Sequence, residues 1–172
     1  MIKVVLVGYM GSGKSVIGQL LAEKTGNLFI DLDQVIEQHE NSTIKNIFET
    51  KGEIYFRKIE HQLFKDLLQS TDSFILSTGG GTPCYANNHK LLIGDGIISV
   101  YLKASIDTLY NRLQSEKEKR PLLMTKSNDE LKEFIAKHLF ERSFFYNKVK
   151  HIIQTDDKSV INIVNEIISL II

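Results

Sequence analysis

The run Gly8-Tyr9-Met10-Gly11-Ser12-Gly13-Lys14-Ser15 constrains this chain more than any other stretch. It fits the pattern G-x-x-x-x-G-K-[ST], a phosphate-cradling loop between a strand and a helix. Both flanks agree with that setting. Ile2-Lys3-Val4-Val5-Leu6-Val7 is almost wholly apolar and β-branched, as expected of a strand buried on both faces of a parallel sheet. In the run that follows, Ile17, Leu20, Leu21 and Lys24 are spaced as on one helical face. Glycines at 8, 11 and 13 let the backbone approach a ligand and point successive N–H groups into one concavity, with the helix N-terminus behind them. Lys14 adds a mobile charge for the outer phosphates, and Ser15 a hydroxyl for magnesium. A nucleoside triphosphate is the expected ligand.

Bulk properties narrow the surroundings of this loop. With 172 residues, 42% of them apolar, one domain with a sizeable core is expected. The formal net charge is zero, so no basic field favours nucleic acid or an anionic membrane. The single cysteine, Cys84, cannot form an internal disulfide, which fits a reducing cytosol. The chain enters its first strand without a basic leader, and no apolar run reaches membrane-spanning length.

Further along, strands and helices alternate. Thr25-Gly26-Asn27 reads as a helix stop, and Leu28-Phe29-Ile30-Asp31 as a short strand ending in Asp31-Leu32-Asp33. Carboxylates at the carboxyl end of a strand stand where open parallel sheets bind ligands. Asp33 can equally serve as the N-cap of the helix that follows. A helical tract carries Ile44, Ile47 and Phe48 on one face, breaks at Lys51-Gly52, and resumes with Phe56, Ile59, Leu63 and Leu67 as its core stripe. Arg57 and Glu60 share a face of that helix, and on sequence alone they read as a solvated ion pair. The strand Ser73–Thr78 ends in Gly79-Gly80-Gly81, a run costly in backbone entropy that suggests close approach of backbone to a ligand.

Leu91-Leu92-Ile93 reads as helix, 97–102 as a fourth strand, and 105–113 as a helix capped by Ser105. The charged tract Ser115–Arg120 resembles a solvated loop or a closing lid. Ser127-Asn128-Asp129-Glu130 is a capping box opening a helix towards Tyr146. A strand at 151–155 and an amphipathic helix at 159–172 complete the pattern. The alternation calls for an α/β three-layer sandwich: a five-stranded parallel sheet with helices on both faces. The five histidines are scattered without metal-ligand spacing, and Cys84 reads as a packed side chain.

Four separated signatures now line up. They are the phosphate loop, the Asp31-x-Asp33 pair, Phe56-Arg57-x-x-Glu60 with Gly79-Gly80-Gly81, and Arg120-Pro121-Leu122-Leu123 followed by Arg142-x-x-x-Tyr146. In this order and at these separations the chain resembles the shikimate kinases over nearly its whole length. The resemblance implies a P-loop NTPase fold like that of the nucleoside monophosphate kinases, with strand order 2-3-1-4-5. It implies ATP-dependent phosphorylation of the 3-hydroxyl of shikimate, in aromatic amino acid biosynthesis, by a cytoplasmic monomer.

Carried over residue by residue, the resemblance has Asp33 accepting or orienting the attacking hydroxyl. Arg57 and Arg142 grip the substrate carboxylate, a task suited to planar guanidinium forks, with Glu60 orienting Arg57. The backbone of Gly79, Gly80 and Gly81 lies against the substrate. ATP is held by Gly11, Ser12, Gly13, Lys14, Ser15 and Val16, with Arg112 against the adenine and Arg120 reaching the transferring phosphate. Ser15 ligates Mg2+, with Asp31 and Ser77 acting through water. Catalysis falls to Asp33, Lys14 and Arg120, the substrate region to about 33–61, and a mobile lid to about 113–127.

Val16 departs from the threonine frequent in such chains, and Thr82-Pro83-Cys84-Tyr85 has no role in this reading. A gluconate kinase would share the loop and the lid but would not need two arginines converging on a carboxylate. A GTPase switch predicts Asn-Lys-x-Asp, whereas the chain has Asn147-Lys148-Val149-Lys150. A catalytically dead ATP-binding protein would not need Lys14, Asp33 and Arg120 intact.

Overall fold

The computed structural model describes residues 2–117 and 123–171. The elements run β1 (Lys3–Val7), α1 (Lys14–Thr25), β2 (Leu28–Asp31), α2 (Leu32–Glu40), α3 (Ile44–Gln69) and β3 (Phe74–Ser77). After a 3₁₀ turn at Thr82–Cys84 come α4 (Asn88–Leu91), β4 (Ile97–Lys103), α5 (Ile106–Ser115), α6 (Asn128–Tyr146), β5 (His151–Gln154) and α7 (Val160–Ile171). The five strands pair in parallel in the order β2-β3-β1-β4-β5. The three-layer α/β expectation and its strand order are both met.

The period of two along β1 builds the layers. Val4 and Leu6 pack with Ile17 and Leu21 of α1 and Ile163, Val164 and Ile167 of α7. Val5 and Val7 turn to the other face, against residues of α2, α3, α5 and α6 that include Ile36, Phe64, Leu109 and Ile135. These four of the five β1 residues are fully buried, so β1 is apolar on both faces rather than alternating. Because order reverses beside β1, the carboxyl ends of β1, β2 and β3 open onto one crevice, where such sheets bind ligands.

Local signals held where chemistry is local. Gly26 closes α1 with φ 68°, Ser105 caps α5, and both halves of the Ser127/Glu130 capping box form. Gly52, at φ 83° and ψ 169°, interrupts helical geometry inside α3 as expected. Along the second half of α3, Phe56 is buried while Ile59, Leu63 and Leu67 are only partly so; Phe64, which the expected stripe passed over, is fully buried. The helix expected over Leu91–Ile93 ends at Leu91, because Gly94 N–H turns back to the Leu91 carbonyl and Leu92 packs into the core. Gly18 has a packing role unseen in sequence: a Cβ there would lie 2.5 Å from the Phe29 ring, so any side chain at that position would force the ring to move and loosen the seat of α1 on β2.

Candidate active site

The loop after β1 has the backbone its sequence demands. Gly11 and Gly13 sit at φ 80° and 96°, in the left-handed region that glycine adopts without penalty. Gly8 is needed for space, since a Cβ there would meet Ser12 Oγ at 2.6 Å and the Leu102 carbonyl oxygen at 3.0 Å. Lys14 Nζ donates to the carbonyls of Gly8 at 2.7 Å and Tyr9 at 3.1 Å, which holds the ammonium over the loop. A cavity of about 520 Å³ opens above, lined by Gly11 to Ser15, Val16, Asp31, Asp33, Ser77, Gly79, Gly80 and Arg112 among others. Arg112 donates from Nη1 to the Gly11 carbonyl at 3.0 Å, so α5 braces the loop.

The two carboxylates at the junction of β2 and α2 divide their work differently from the simplest sequence reading. Asp31, not Asp33, caps α2: its Oδ1 accepts from the N–H groups of Asp33 at 2.9 Å and Gln34 at 3.3 Å. That leaves the Asp33 side chain in the first helical turn, facing the cavity beside Gly79; a Cβ on Gly79 would stand 3.3 Å from Asp33 Oδ1. Asp33 is exposed along the cavity it lines, and the protein around that cavity crowds its carboxylate. That crowding pushes its pKa up to about 6; Asp31 and Glu60 push the same way, and Lys14 pulls it down. A carboxylate poised this way suits proton acceptance near neutrality.

Past Asp33, the triple glycine meets two arginines. Gly79 to Gly81 do not need unusual dihedrals; Gly81, for example, has φ −94° and ψ −13°. They are glycines for clearance. A Cβ on Gly80 would stand 3.3 Å from Arg142 Nη1, and one on Gly81 would stand 2.7 Å from Arg57 Nη2. Arg57 from α3 and Arg142 from α6 thus flank this backbone. Arg57 donates from Nη1 to Glu60 Oε2 at 2.8 Å. Glu60 is 1% exposed, so the pair is a buried device and not the solvated surface pair its spacing suggested.

Thr82 makes that burial tolerable by donating from Oγ1 to Glu60 Oε1 at 2.7 Å. The tyrosines complete the wall. Tyr146 donates to the Gly80 carbonyl at 2.5 Å, and burial raises its pKa. Tyr9 bonds through its hydroxyl to His138 Nδ1 at 2.9 Å, and its ring lies 5.5 Å from the Arg142 guanidinium carbon. Burial pushes the Tyr9 pKa up to about 12 and the Cys84 pKa up to about 11, so both stay protonated near neutrality, and Cys84 is the packed thiol its isolation implied.

The structure therefore gathers Gly11 to Val16, Asp31, Asp33, Ser77, Gly79, Gly80 and Arg112 around one cavity, with Gly81, Arg57, Glu60 and Arg142 continuing the wall beyond Gly80. Arg120 lies outside the described residues. Sequence reading missed Tyr9, Thr82 and Lys158. Lys158 lines the cavity in the loop after β5 while pairing with Glu166 at 2.7 Å, and the rule placing ligands at strand carboxyl ends would have found it. No group of three or more His, Cys, Asp or Glu side chains able to hold a metal occurs among the described residues. No helix among them is long and apolar enough to cross a membrane.

Comparison with known proteins gives this geometry a family. The shikimate kinase family model matches residues 10–172. A shikimate kinase of Flavobacterium johnsoniae is 56% identical over 169 residues, covering 98% of each chain. The crystal structure of shikimate kinase from Bacteroides thetaiotaomicron superposes with a TM-score of 0.90 at 32% identity, covering 98% of this chain and 97% of that one. The structure of shikimate kinase from Acinetobacter baumannii in complex with shikimate superposes with a TM-score of 0.86 at 31% identity, covering 99% of this chain and 93% of that one. With the family model matched from the phosphate loop to the last residue and relatives covering both chains almost end to end, this chain belongs to the shikimate kinase family.

Proposed function

We propose that this protein transfers the γ-phosphoryl group of ATP to the 3-hydroxyl of shikimate, giving shikimate 3-phosphate and ADP in aromatic amino acid biosynthesis. The observation that carries the reading is the continuity of one wall: the phosphate loop, then Asp33, then a glycine backbone flanked by Arg57 and Arg142. A substrate with a carboxylate at one end and a hydroxyl at the other spans that wall. Gluconate also has both groups, but the buried Glu60 brace on Arg57 favours a substrate whose carboxylate is held rigidly.

In this reading the residues act by positioning and charge, as phosphoryl transfer requires. Loop N–H groups, the start of α1 and Lys14 hold the phosphates, with Val16 at the cavity edge and Arg112 towards the base. Arg57 and Arg142 fix the carboxylate and Glu60 fixes Arg57. The backbone of Gly79 to Gly81 admits the ring. Asp33 takes the hydroxyl proton as the oxygen attacks. The donor set fits magnesium, which binds through one or two carboxylates, waters and substrate phosphates: Ser15 offers its hydroxyl, and Asp31, with Oδ1 committed to its cap, has a second oxygen for a bridging water beside Ser77. Bound there, the ion would neutralise phosphate charge.

The substrate region of about 33–61 and the lid of about 113–127 belong to the same proposal. Leu113 and Leu123 are fully buried, which anchors both sides of the lid segment in the core. Arg120, within that segment, completes the charge neutralisation. The protein works as a cytoplasmic monomer without nucleic-acid or membrane partners. A coupled ADP-release assay with ATP and magnesium tests the reading. Release dependent on shikimate, and absent with gluconate or nucleoside monophosphates, supports it. ATP binding without shikimate-dependent release overturns the substrate.

A further inference from the structure

Thr82-Pro83-Cys84-Tyr85 had no role in the sequence reading, and the reaction as derived uses no residue beyond Thr82 in it. Arg57, meanwhile, is incompletely held. One hydrogen bond, to Glu60, secures one corner of its guanidinium. Its Nε is buried with no hydrogen-bond partner among the described residues, and the Glu53 carboxylate stands off at 3.6 Å. A planar five-donor fork pinned at one corner can still tilt, and a tilted fork loses bidentate grip on a carboxylate.

Tyr85 supplies what is missing. Its ring centroid lies 4.0 Å from Arg57 Cζ, so the ring covers the guanidinium, while the Phe56 ring stands further off at 5.1 Å. Core packing does not explain this position, because Tyr85 is 39% exposed. Its backbone is instead held in place by a chain of polar contacts. Cys84 N–H donates to the Gly81 carbonyl at 2.9 Å, closing the 3₁₀ turn. Asn88, fully buried, donates from Nδ2 to the Thr82 carbonyl at 2.9 Å, and its N–H donates to the Tyr85 carbonyl at 2.9 Å. With its amide nitrogen so used, Asn88 presents Oδ1 to His61 Nδ1 at 2.6 Å, which assigns the imidazole proton to Nδ1. Ala86 and Asn87 carry φ of 48° and 58°; asparagine tolerates this left-handed region, but alanine adopts it only when its surroundings hold it there.

We propose that Tyr85 is a positioning residue for the carboxylate grip: its ring fixes the plane of the Arg57 guanidinium, and the 82–88 segment, tied to α3 through His61 and Glu60, exists to hold that ring. The inference rests on the proposed shikimate reading for its kinetic consequence, and on geometry alone for the stacking. Its ligand class is a small carboxylate.

The test pairs kinetics with a substrate-free signal. Tyr85→Leu raises the shikimate KM and the calorimetric Kd about five-fold, and leaves kcat and the ATP KM within about two-fold, the scale of a partly exposed cation–π contact read through KM. Tyr85→Phe behaves as wild type, since the ring and not the hydroxyl does the positioning. In an Arg57→Ala background Tyr85→Leu adds nothing, which separates positioning from general destabilisation. Independently, the Arg57 Nε–H proton resonance, displaced by the ring current, is kept in Tyr85→Phe and relaxes in Tyr85→Leu. An unchanged KM in Tyr85→Leu, equal damage from Tyr85→Phe, or a persistent effect without Arg57 overturns the proposal. If the wild type turns over no shikimate, the functional reading has failed, and the Arg57 resonance alone decides: a signal unmoved by Tyr85→Leu overturns the positioning claim.

Discussion

Gly81→Ala separates binding from stability in a way that few substitutions here can. At φ −94° and ψ −13° the backbone accepts alanine without strain, so the fold itself raises no objection. The new methyl would lie 2.7 Å from Arg57 Nη2, 0.7 Å short of the 3.4 Å at which ordinary contact begins, with Nη1 at 3.0 Å and Cζ at 3.2 Å. The guanidinium must yield, and its 2.8 Å bond to Glu60 is what such a shift breaks. A hydrogen bond between charged groups contributes roughly 1.5–3 kcal/mol. If that is the loss in substrate grip, the shikimate KM rises about ten- to a hundred-fold at 1.36 kcal/mol per decade. Replacing glycine also restricts the unfolded chain by about 0.4–1 kcal/mol, which offsets part of the cost to Glu60, so the melting temperature falls by no more than about 10 °C and the variant stays folded for the kinetic measurement. Initial rates with shikimate varied at saturating ATP, alongside a thermal melt, read both quantities. A shikimate KM unchanged in a folded variant, or ATP and shikimate weakened alike, would refute the placement of Arg57.

Further outcomes follow from the same geometry. Asp33→Asn keeps ATP binding but lowers kcat by about 10²–10⁴, about 3–5 kcal/mol of barrier, as measured by steady-state turnover against calorimetric ATP affinity. Because burial raises the Asp33 pKa to about 6, and a base must be ionised to act, kcat/KM rises with pH through about 6 and levels above it. The stability sign is opposite: the folded pKa exceeds the unfolded value of 3.8, so Asp33 favours folding at low pH and that contribution is lost between about pH 4 and 6. Melts of Asp33→Asn against wild type should diverge across that window, the variant gaining as pH rises. Tyr146→Phe removes the donor to the Gly80 carbonyl and costs about 1–3 kcal/mol in denaturant unfolding, with a weaker shikimate KM; no change in either would deny the tyrosine its role.

Much of this protein was legible where chemistry is local. The phosphate loop carries its own glycines, the caps at Ser105 and Ser127 act within one turn, and β1 announces double-sided burial by composition. Roles set by distant partners were not legible. Arg57 and Glu60 read as a surface pair because nothing nearby in sequence says that Thr82, 22 positions on, closes over Glu60. The triple glycine was read as a place where backbone approaches a ligand; what the structure shows at Gly80 and Gly81 is clearance for the chain's own arginines. The Asp31/Asp33 pair was noted, but which of them caps α2 depends on where the helix starts, and a two-residue shift of that start exchanges their tasks. Tyr85 was silent because its partner lies on another element.

On the proposed reading, one wall binds a carboxylate at its far end and delivers the hydroxyl beside Asp33 to the phosphate loop. Phosphorus–proton correlation NMR of the product formed from ATP and shikimate tests it most directly. A single phosphate ester coupled to the proton on carbon 3 of the ring is the expected product. An ester at another hydroxyl, a mixture of esters, or release of inorganic phosphate alone would contradict it.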